Sequence, residues 1–188
     1  MLKTKEKFKH INESQVTITQ LMLPSHSNFS GKIHGGHILN MMDQIVFACA
    51  SKHSGNYCVT ASVNKVDFLN PIEVGELVTL KASINFTGRT SMVVGLRVES
   101  ENIRTGDKKH CNSSYFTMVA KDENGKSTPI PGIILTTKSE IRRFARSVKR
   151  QEESKNRTSR FSTKVFKTDD YLYLFENSNS KIELKEKN

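Results

Sequence analysis

Five stretches of the chain alternate between apolar and polar residues, which is the pattern of strands with one buried face. The clearest is 76–87, where alternate apolar residues point one way and polar residues the other. Its apolar positions are Val78, Leu80, Ala82, Ile84 and Phe86. The five strand-like stretches are 14–23, 57–70, 76–87, 90–101 and 109–121. Because only short turns separate the last four, the sequence predicts an antiparallel sheet.

The second of these stretches changes phase partway along. Its apolar positions are odd-numbered up to Val63 but even-numbered from Val66 to Phe68. An extra residue in a strand turns the side chains that follow it to the opposite face. The sequence therefore predicts a β-bulge near Asn64 or Lys65.

Residues 37–53 follow a helical period instead. Apolar side chains recur every three or four residues, no proline or glycine interrupts them, and Gly55 stands where a helix would end. These apolar positions are Ile38, Met41, Met42, Ile45, Val46 and Cys49. With so few charges, we expect a largely buried helix packed on one face of the sheet. The whole pattern predicts an α+β fold with one central helix.

Composition adds a basic bias at one end of the chain. The 188 residues carry a net charge of +10, and 138–188 contributes +6 of it from 14 basic and 8 acidic residues. The sequence predicts a basic helix over 139–149 and a weakly ordered tail after it. Such a segment is either solvated or attracts nucleic acid, anionic lipid or a phosphorylated ligand. No aromatic residues interleave with the basic ones and no DNA-reading motif occurs, so we do not expect a nucleic-acid partner.

The cysteines and the lengths of the apolar runs exclude other classes of protein. Cys49, Cys58 and Cys111 are odd in number and lack metal-ligand spacing, so we expect free thiols, no bound metal and a cytoplasmic location. We interpret Cys49 as a small buried hydrophobe rather than a nucleophile. No apolar run reaches the roughly 18 residues that a membrane helix needs. Residues 1–10 have no apolar segment of the kind found in a secretory signal.

The loop that enters the predicted helix carries the residues best suited to chemistry. Gly35 and Gly36 leave backbone N–H groups at a helix start, where they could donate to a carbonyl oxygen or an anion, although a tight loop is the simpler explanation. Asp43 has no basic residue at helical spacing, so it is either a buried site carboxylate or a residue on the solvent side. His34 and His37 are candidate acids, bases or ligands, although both can also be ordinary histidines of a surface loop.

Several ordered motifs together resemble the hotdog-fold acyl-CoA thioesterases, in the branch of the cytosolic acyl-CoA hydrolases. The matching segments are 28–39 (NFSGKIHGGHIL), 41–43 (MMD), 59–63 (VTASV), 68–72 (FLNPI), 74–76 (VGE), 87–92 (TGRTSM) and 116–120 (FTMVA). They fall within roughly residues 14–132. The tail after about residue 150 lies outside the resemblance.

The resemblance implies a hotdog fold, in which an antiparallel sheet wraps around a long central helix. It implies hydrolysis of fatty acyl-CoA to a free carboxylic acid and coenzyme A, with Asp43 as general base or as nucleophile. Asn28 would contribute from a partner subunit or position water, and the Gly35 and Gly36 amides would polarise the thioester carbonyl. The segment that resembles the coenzyme A contact region is Gly88, Arg89, Thr90 and Ser91.

The resemblance also sets expectations for domains and partners. We expect an N-terminal extension over 1–13, the hotdog domain over 14–137, and a basic C-terminal helix and tail over 138–188. The partners would be acyl-CoA and further copies of the chain, as a hexamer built from three dimers or at least a homodimer. No cofactor is implied, because coenzyme A is part of substrate and product. A further hypothesis is that the basic helix, through Arg142, Arg143 and Arg146, helps to bind coenzyme A.

The same fold also hosts regulators that bind acyl thioesters without turnover. A non-catalytic acyl-CoA-binding regulator is therefore the alternative function. Retention of both Asn28 and Asp43 argues for the enzyme.

Overall fold

Seven strands, three α-helices and a short 3-10 helix (Pro24–His26) occur in the part of the chain that this computed structural model describes, residues 7–160 with Tyr173 and Ser180. In chain order the strands and α-helices are β1 (Phe8–His10), α1 (Ile11–Ser14), β2 (Val16–Leu21), α2 (Gly35–Ser54), β3 (Tyr57–Val63), β4 (Glu76–Thr87), β5 (Ser91–Asn102), β6 (Lys108–Lys121), β7 (Gly132–Ile134) and α3 (Lys138–Arg160). The chain divides into two compact units, Met1–Val148 and Lys149–Asn188. Most of the predicted weakly ordered tail lies outside the described residues.

The sheet has five strands in the order β2-β4-β5-β6-β3, and every neighbouring pair is antiparallel. This confirms the predicted antiparallel sheet. A separate two-stranded sheet pairs β1 with β7 in parallel, and the short helix α1 follows β1. These elements of three and four residues are too short to show a period, so the sequence did not reveal them.

Helix α2 lies against the inner face of the sheet and supplies seven of the 23 described residues of the hydrophobic core. Its buried face meets the inward residues of the strands, and each fully buried aliphatic side chain contributes roughly 1.5–3 kcal/mol to folding. Central members of this core are Met42, Ile45, Val46, Leu80, Ile84, Met92, Phe116 and Met118. The arrangement of one long helix wrapped by an antiparallel sheet confirms the expected hotdog fold.

The helix begins two residues earlier than predicted. Both Gly35 and Gly36 lie in its first turn, because the imidazole of His34 caps the helix in place of the usual hydroxyl or carboxylate. At the other end Gly55 adopts a left-handed conformation with φ of 66°, as predicted for the helix end.

Strand β3 is shorter than predicted and irregular at another place. It ends at Val63, and its register with β6 shifts between Thr60 and Ser62, so the bulge predicted near Asn64 or Lys65 is wrong. Ala61 and Val63 are exposed, whereas Cys58 is buried. Because β3 is an edge strand, its alternation reports less about the core than that of a central strand.

Strand β4 has the predicted bounds but not the predicted faces at its end. Its register with β5 shifts between Ile84 and Phe86, which leaves Asn85 as an extra residue. The bulge turns Phe86 away from the core. The centroid of the Phe86 ring lies 5.5 Å from that of the Phe144 ring in α3. The prediction that Phe86 shares a face with Ile84 is therefore wrong.

Helix α3 is longer than the predicted 139–149 and starts with a capping box. The Thr137 hydroxyl accepts the Glu140 N–H at 3.2 Å, while the Glu140 carboxylate accepts the Thr137 N–H at 2.9 Å. Hydrogen bonds from the Thr136 and Thr137 N–H groups lower the pKa of Glu140. Within residues 7–160, Tyr173 and Ser180, no helix has both the length and the apolar character needed to cross a membrane.

Candidate active site

The first turn of α2 presents two backbone N–H groups, and only one of them has a hydrogen-bond acceptor among the described residues. The Gly36 N–H donates to His34 Nδ1 at 3.0 Å, so this donor is already used. The Gly35 N–H makes no hydrogen bond with the residues that the structure describes. A Cβ at Gly35 would lie 3.3 Å from the ring of Phe68, which packs against the helix start. At the helix start, the Gly35 N–H is therefore available as a donor, whereas the Gly36 N–H is already bonded to His34 within the described residues.

The two histidines beside these glycines have structural roles. His34 caps the helix, and the His37 ring stacks on His26 with their centroids 4.0 Å apart. Burial and the nearby His26 lower the pKa of His37, so this ring stays neutral near neutral pH. These contacts favour positioning over acid–base chemistry for both residues.

Asp43 lies on the exposed face of α2, which decides between the two positions that the sequence left open. Its carboxylate Oδ1 accepts a hydrogen bond from the Thr60 hydroxyl of β3 at 2.7 Å. A cavity of about 370 Å³ opens beside this pair, between α2 and β3. The other residues that line it are Gln44, Phe47, Tyr57, Cys58 and Val59. A carboxylate held at the edge of an open pocket can take a proton from water or attack an electrophile.

Thr60 was missed as a site residue by the sequence reasoning. It lies in one of the segments that carry the resemblance, and its role depends on a contact with another element. Neither hydropathy nor spacing relates a residue of β3 to one of α2. The one available signal was a short polar side chain on a strand next in sequence to the helix that carries the carboxylate.

Asn28 organises the loop before α2. Its side-chain oxygen accepts the N–H groups of Ser30 at 2.9 Å and Lys32 at 3.2 Å, the pattern of an Asx turn. The amide –NH₂ of Asn28 makes no hydrogen bond within the part of the chain that the structure describes. It is therefore available to a ligand or a second chain.

Residues 88–91 form the tight turn between β4 and β5. The Gly88 N–H donates to the Ser91 carbonyl at 2.7 Å, and the Arg89 side chain is exposed. The Arg89 carbonyl accepts the Ile130 N–H at 3.1 Å, which ties the turn to the segment before β7. The turn thus presents a fixed backbone and an exposed guanidinium.

A single chain does not bring all of these residues together. The cavity beside Asp43 is lined by α2 and β3 alone, and none of the other predicted site residues lines it. Those residues are Asn28, Gly35, Gly36, Gly88, Arg89, Thr90 and Ser91.

The cysteines contribute no nucleophile and no metal site to this region. All three are buried and free, and burial raises the pKa of the Cys49 thiol to about 12. A thiol with so high a pKa is not ionised at neutral pH and is inert. Among the described residues, no group of three or more His, Cys, Asp or Glu side chains is placed to hold a metal ion.

Known proteins are similar to this chain in sequence and in architecture. The sequence profile of the thioesterase superfamily matches residues 30–106. Protein VdlD of Helicobacter pylori is 43% identical over 141 residues, which are 75% of this chain and 80% of that protein. The uncharacterized acyl-CoA thioester hydrolase YkhA of Bacillus subtilis is 35% identical over 145 residues, 77% of this chain and 84% of that protein.

A crystal structure of an apo-hexameric acyl-CoA thioesterase superposes with a TM-score of 0.79 and 38% identity, over 81% of this chain and 97% of that one. The profile match spans the paired glycines, α2 and strands β3, β4 and β5. The chain belongs to the thioesterase superfamily, among the hotdog-fold acyl-CoA thioester hydrolases.

Proposed function

We propose that the chain hydrolyses fatty acyl-CoA thioesters to free carboxylic acids and coenzyme A. The observation that carries this proposal is the Asp43 carboxylate, which the Thr60 hydroxyl orients at the edge of an open cavity. Membership of a family of acyl-CoA thioester hydrolases supplies the substrate class. The cavity wall includes Phe47, which offers an apolar surface to an acyl chain.

Asp43 can drive the hydrolysis by either of two routes. As a general base it takes a proton from water, and the hydroxide adds to the thioester carbonyl carbon. The tetrahedral oxyanion then collapses, the C–S bond breaks, and the thiolate of coenzyme A takes up the proton. As a nucleophile the carboxylate itself displaces the thiolate and forms an anhydride, which water then hydrolyses.

The oxyanion donors for this reaction come from a second copy of the chain. Asp43 follows Gly35 by eight residues, which places the two about 12 Å apart along the helix axis. Donors must lie about 3 Å from the carbonyl oxygen. A nucleophile must lie within about 3.5 Å of the adjoining carbon, and a general base must reach that carbon through one water molecule. The two groups of one chain are too far apart to meet these limits on one thioester. An active site that uses both must combine Asp43 of one chain with the α2 start of another.

The surface around Asp43 suits such an association. Six large apolar side chains are 40% exposed or more on α2, β3 and the loop that follows β3. They are Leu39, Phe47, Tyr57, Val63, Phe68 and Leu69. Strand β3 is also a free edge of the sheet, to which another strand can add. We propose a homodimer formed through this surface and assembled into a hexamer of three dimers, as the hexameric relative suggests.

The turn at 88–91 is the proposed contact for coenzyme A. Arg89 carries a guanidinium that can pair with phosphate oxygens in a bidentate way. The fixed backbone around Gly88 supports that placement, because its N–H is bonded within the turn.

One feature favours the alternative of a regulator that binds acyl-CoA without turnover. The Gly36 N–H is bonded to His34 Nδ1, and a thioester oxygen would have to displace the imidazole to use this donor. The free Gly35 N–H needs no such exchange. Binding of acyl-CoA without release of thiol would favour the regulator.

The test of the proposed function is thiol release from acyl-CoA substrates of increasing chain length. Wild type is compared with Asp43→Asn, which keeps the shape and the bond to Thr60 but is neither a base nor a nucleophile. Glu123→Gln makes the same chemical change at an exposed turn residue and serves as control. We expect turnover by wild type and the control, and a loss of at least about 100-fold in Asp43→Asn. Full turnover by Asp43→Asn would contradict the assignment.

A further inference from the structure

A second cavity, of about 390 Å³, lies on the outer face of the sheet, opposite α2. Its floor includes a row of side chains that crosses four paired strands: Thr17, Lys81, Arg97 and Ser113. The residues beside Lys81 in β4, Leu80 and Ala82, are buried in the core, so Lys81 itself points outward. One wall comes from α3. We call this cavity the outer cleft.

Helix α3 contributes three arginines to the outer cleft. Arg142, Arg143 and Arg146 line it, and within the described residues none of them forms an ion pair. Arg142 and Arg146 are four residues apart, so they lie on one face of the helix, where like charges repel. A bound anion would relieve that repulsion.

The charge of the floor is only partly compensated. The Glu99 carboxylate accepts hydrogen bonds from Lys81 Nζ at 2.6 Å and from Arg97 Nε at 2.8 Å. These bonds lower the pKa of Glu99 to about 2, so it remains ionised and balances one of the two cations. Among the described residues, the lining itself contains five cations and no carboxylate. Glu140, the nearest acid at the start of α3, is occupied in the capping box.

The start of α3 is held in place over this floor. Phe144 packs on Phe86 of β4, and Ser147 on α3 is buried. The arginines are therefore presented by a helix that the Phe86–Phe144 contact ties to β4, and not by a loop. Such preorganisation lowers the entropy cost of binding a ligand.

We infer that the outer cleft binds a phosphorylated small molecule through its phosphate or diphosphate group. Guanidinium groups match phosphate oxygens in bidentate pairs, and the volume lies in the range of about 300–1,000 Å³ typical of small-molecule sites. This site is distinct from Asp43, which lies on α2 beneath the opposite face of the sheet. The phosphate can come from a free nucleotide or from the diphosphate of coenzyme A.

Calorimetric titration of the full chain with inorganic pyrophosphate tests this inference without reference to catalysis. The helix variant is Arg142→Gln/Arg146→Gln, and the floor variant is Lys81→Gln. The control, Arg104→Gln/Lys126→Gln, removes the same charge as the helix variant from two exposed turn residues outside the cleft. We expect pyrophosphate to bind wild type and the control equally, and about tenfold or more weakly to the helix and floor variants. Equal affinity in all four proteins, an equal loss in the control, or no binding to wild type would overturn the inference.

Two further probes distinguish the source of the phosphate. If the helix variant loses ADP binding while its KM for acyl-CoA stays at the wild-type value, the cleft serves a free nucleotide. If the KM rises by a similar factor and ADP competes with acyl-CoA, the cleft holds the diphosphate of the substrate. Both results support the phosphate site.

Discussion

Asp43 illustrates what a sequence can and cannot settle about one residue. Helical spacing showed that no cation of its own helix pairs with it, yet its burial stayed open because both faces of α2 carry apolar residues. The structure places Asp43 on the exposed face of α2 and gives it a partner in another element, Thr60. Chemistry at this position was thus predictable from residue type and resemblance, whereas its hydrogen-bond partner required the tertiary structure.

The contact between Thr60 and Asp43 gives a prediction at the residue scale. Thr60→Val removes the hydroxyl donor while it keeps the shape of the side chain, so the carboxylate loses its fixed orientation. We expect kcat for acyl-CoA to fall about tenfold, because a hydrogen bond to a charged group contributes roughly 1.5–3 kcal/mol before solvent exposure weakens it. Steady-state kinetics should show this fall with little change in KM.

Thr60→Ser is the matched control, since it restores the hydroxyl. Recovery of most of the lost kcat is expected. Equal kcat values for wild type and Thr60→Val would show that the hydroxyl does not position Asp43.

At the scale of elements, periodicity predicted the central strands and the core face of α2. It failed at irregularities that depend on a neighbour. The extra residue Asn85 rotates Phe86 outward, and its amide then fills the space above Gly95 of the next strand. No pattern within β4 shows that β5 supplies a glycine at the matching register.

This fit between two strands predicts a steric effect on stability. A Cβ at Gly95 would lie 2.1 Å from Nδ2 of the buried Asn85, so Gly95→Ala must displace that side chain. We expect a loss of about 1–3 kcal/mol in the free energy of unfolding, seen as a lower Tm at fixed protein concentration.

The double variant Asn85→Ala/Gly95→Ala tests the cause of that loss. With the Asn85 amide removed, the new methyl group has room, so the double variant should cost less than the sum of the single changes. Additive losses would show that the close contact is not the source of the effect.

A buried histidine joins three elements and predicts a pH effect on stability. His53 at the end of α2 accepts the Ser14 hydroxyl at Nδ1, at 2.9 Å, and donates from Nε2 to the Pro131 carbonyl at 3.0 Å. Burial lowers the pKa of His53 below its ordinary value of 6.5. Below pH 6.5 the unfolded chain therefore binds a proton that the folded chain does not. The free energy of unfolding should fall as the pH drops, by up to about 1.4 kcal/mol per pH unit.

Urea unfolding of wild type and His53→Gln at pH 7.5 and pH 5.5 measures this contribution. We expect the larger decrease in stability between the two pH values in wild type. His37 titrates in both proteins and cancels in the comparison. The same decrease in both proteins would remove His53 as the source.

At the scale of the whole molecule, the resemblance predicted the wrapped helix, the sheet and the family. Composition and spacing alone reached only an α+β fold with a basic end. The proposed site requires a second chain, because about 12 Å of helix separates the Gly35 amide from Asp43. The exposed apolar residues Phe47, Tyr57 and Leu69 mark where a second chain would supply the missing groups.

The most direct test of this two-chain site is complementation between two inactive variants. Asp43→Asn removes the carboxylate, and Asn28→Asp removes the free –NH₂ while it keeps an oxygen for the Ser30 and Lys32 N–H groups. Each variant alone should be inactive. In a mixed dimer with two-fold symmetry, one of the two sites would receive both intact residues.

Subunits of the two variants are mixed in equal amounts, reassembled and assayed for thiol release from acyl-CoA. Since about half of randomly formed dimers are mixed and each has one intact site, we predict about a quarter of the wild-type activity. Mixtures that stay as inactive as either parent, although the subunits exchange, would contradict a site shared between chains.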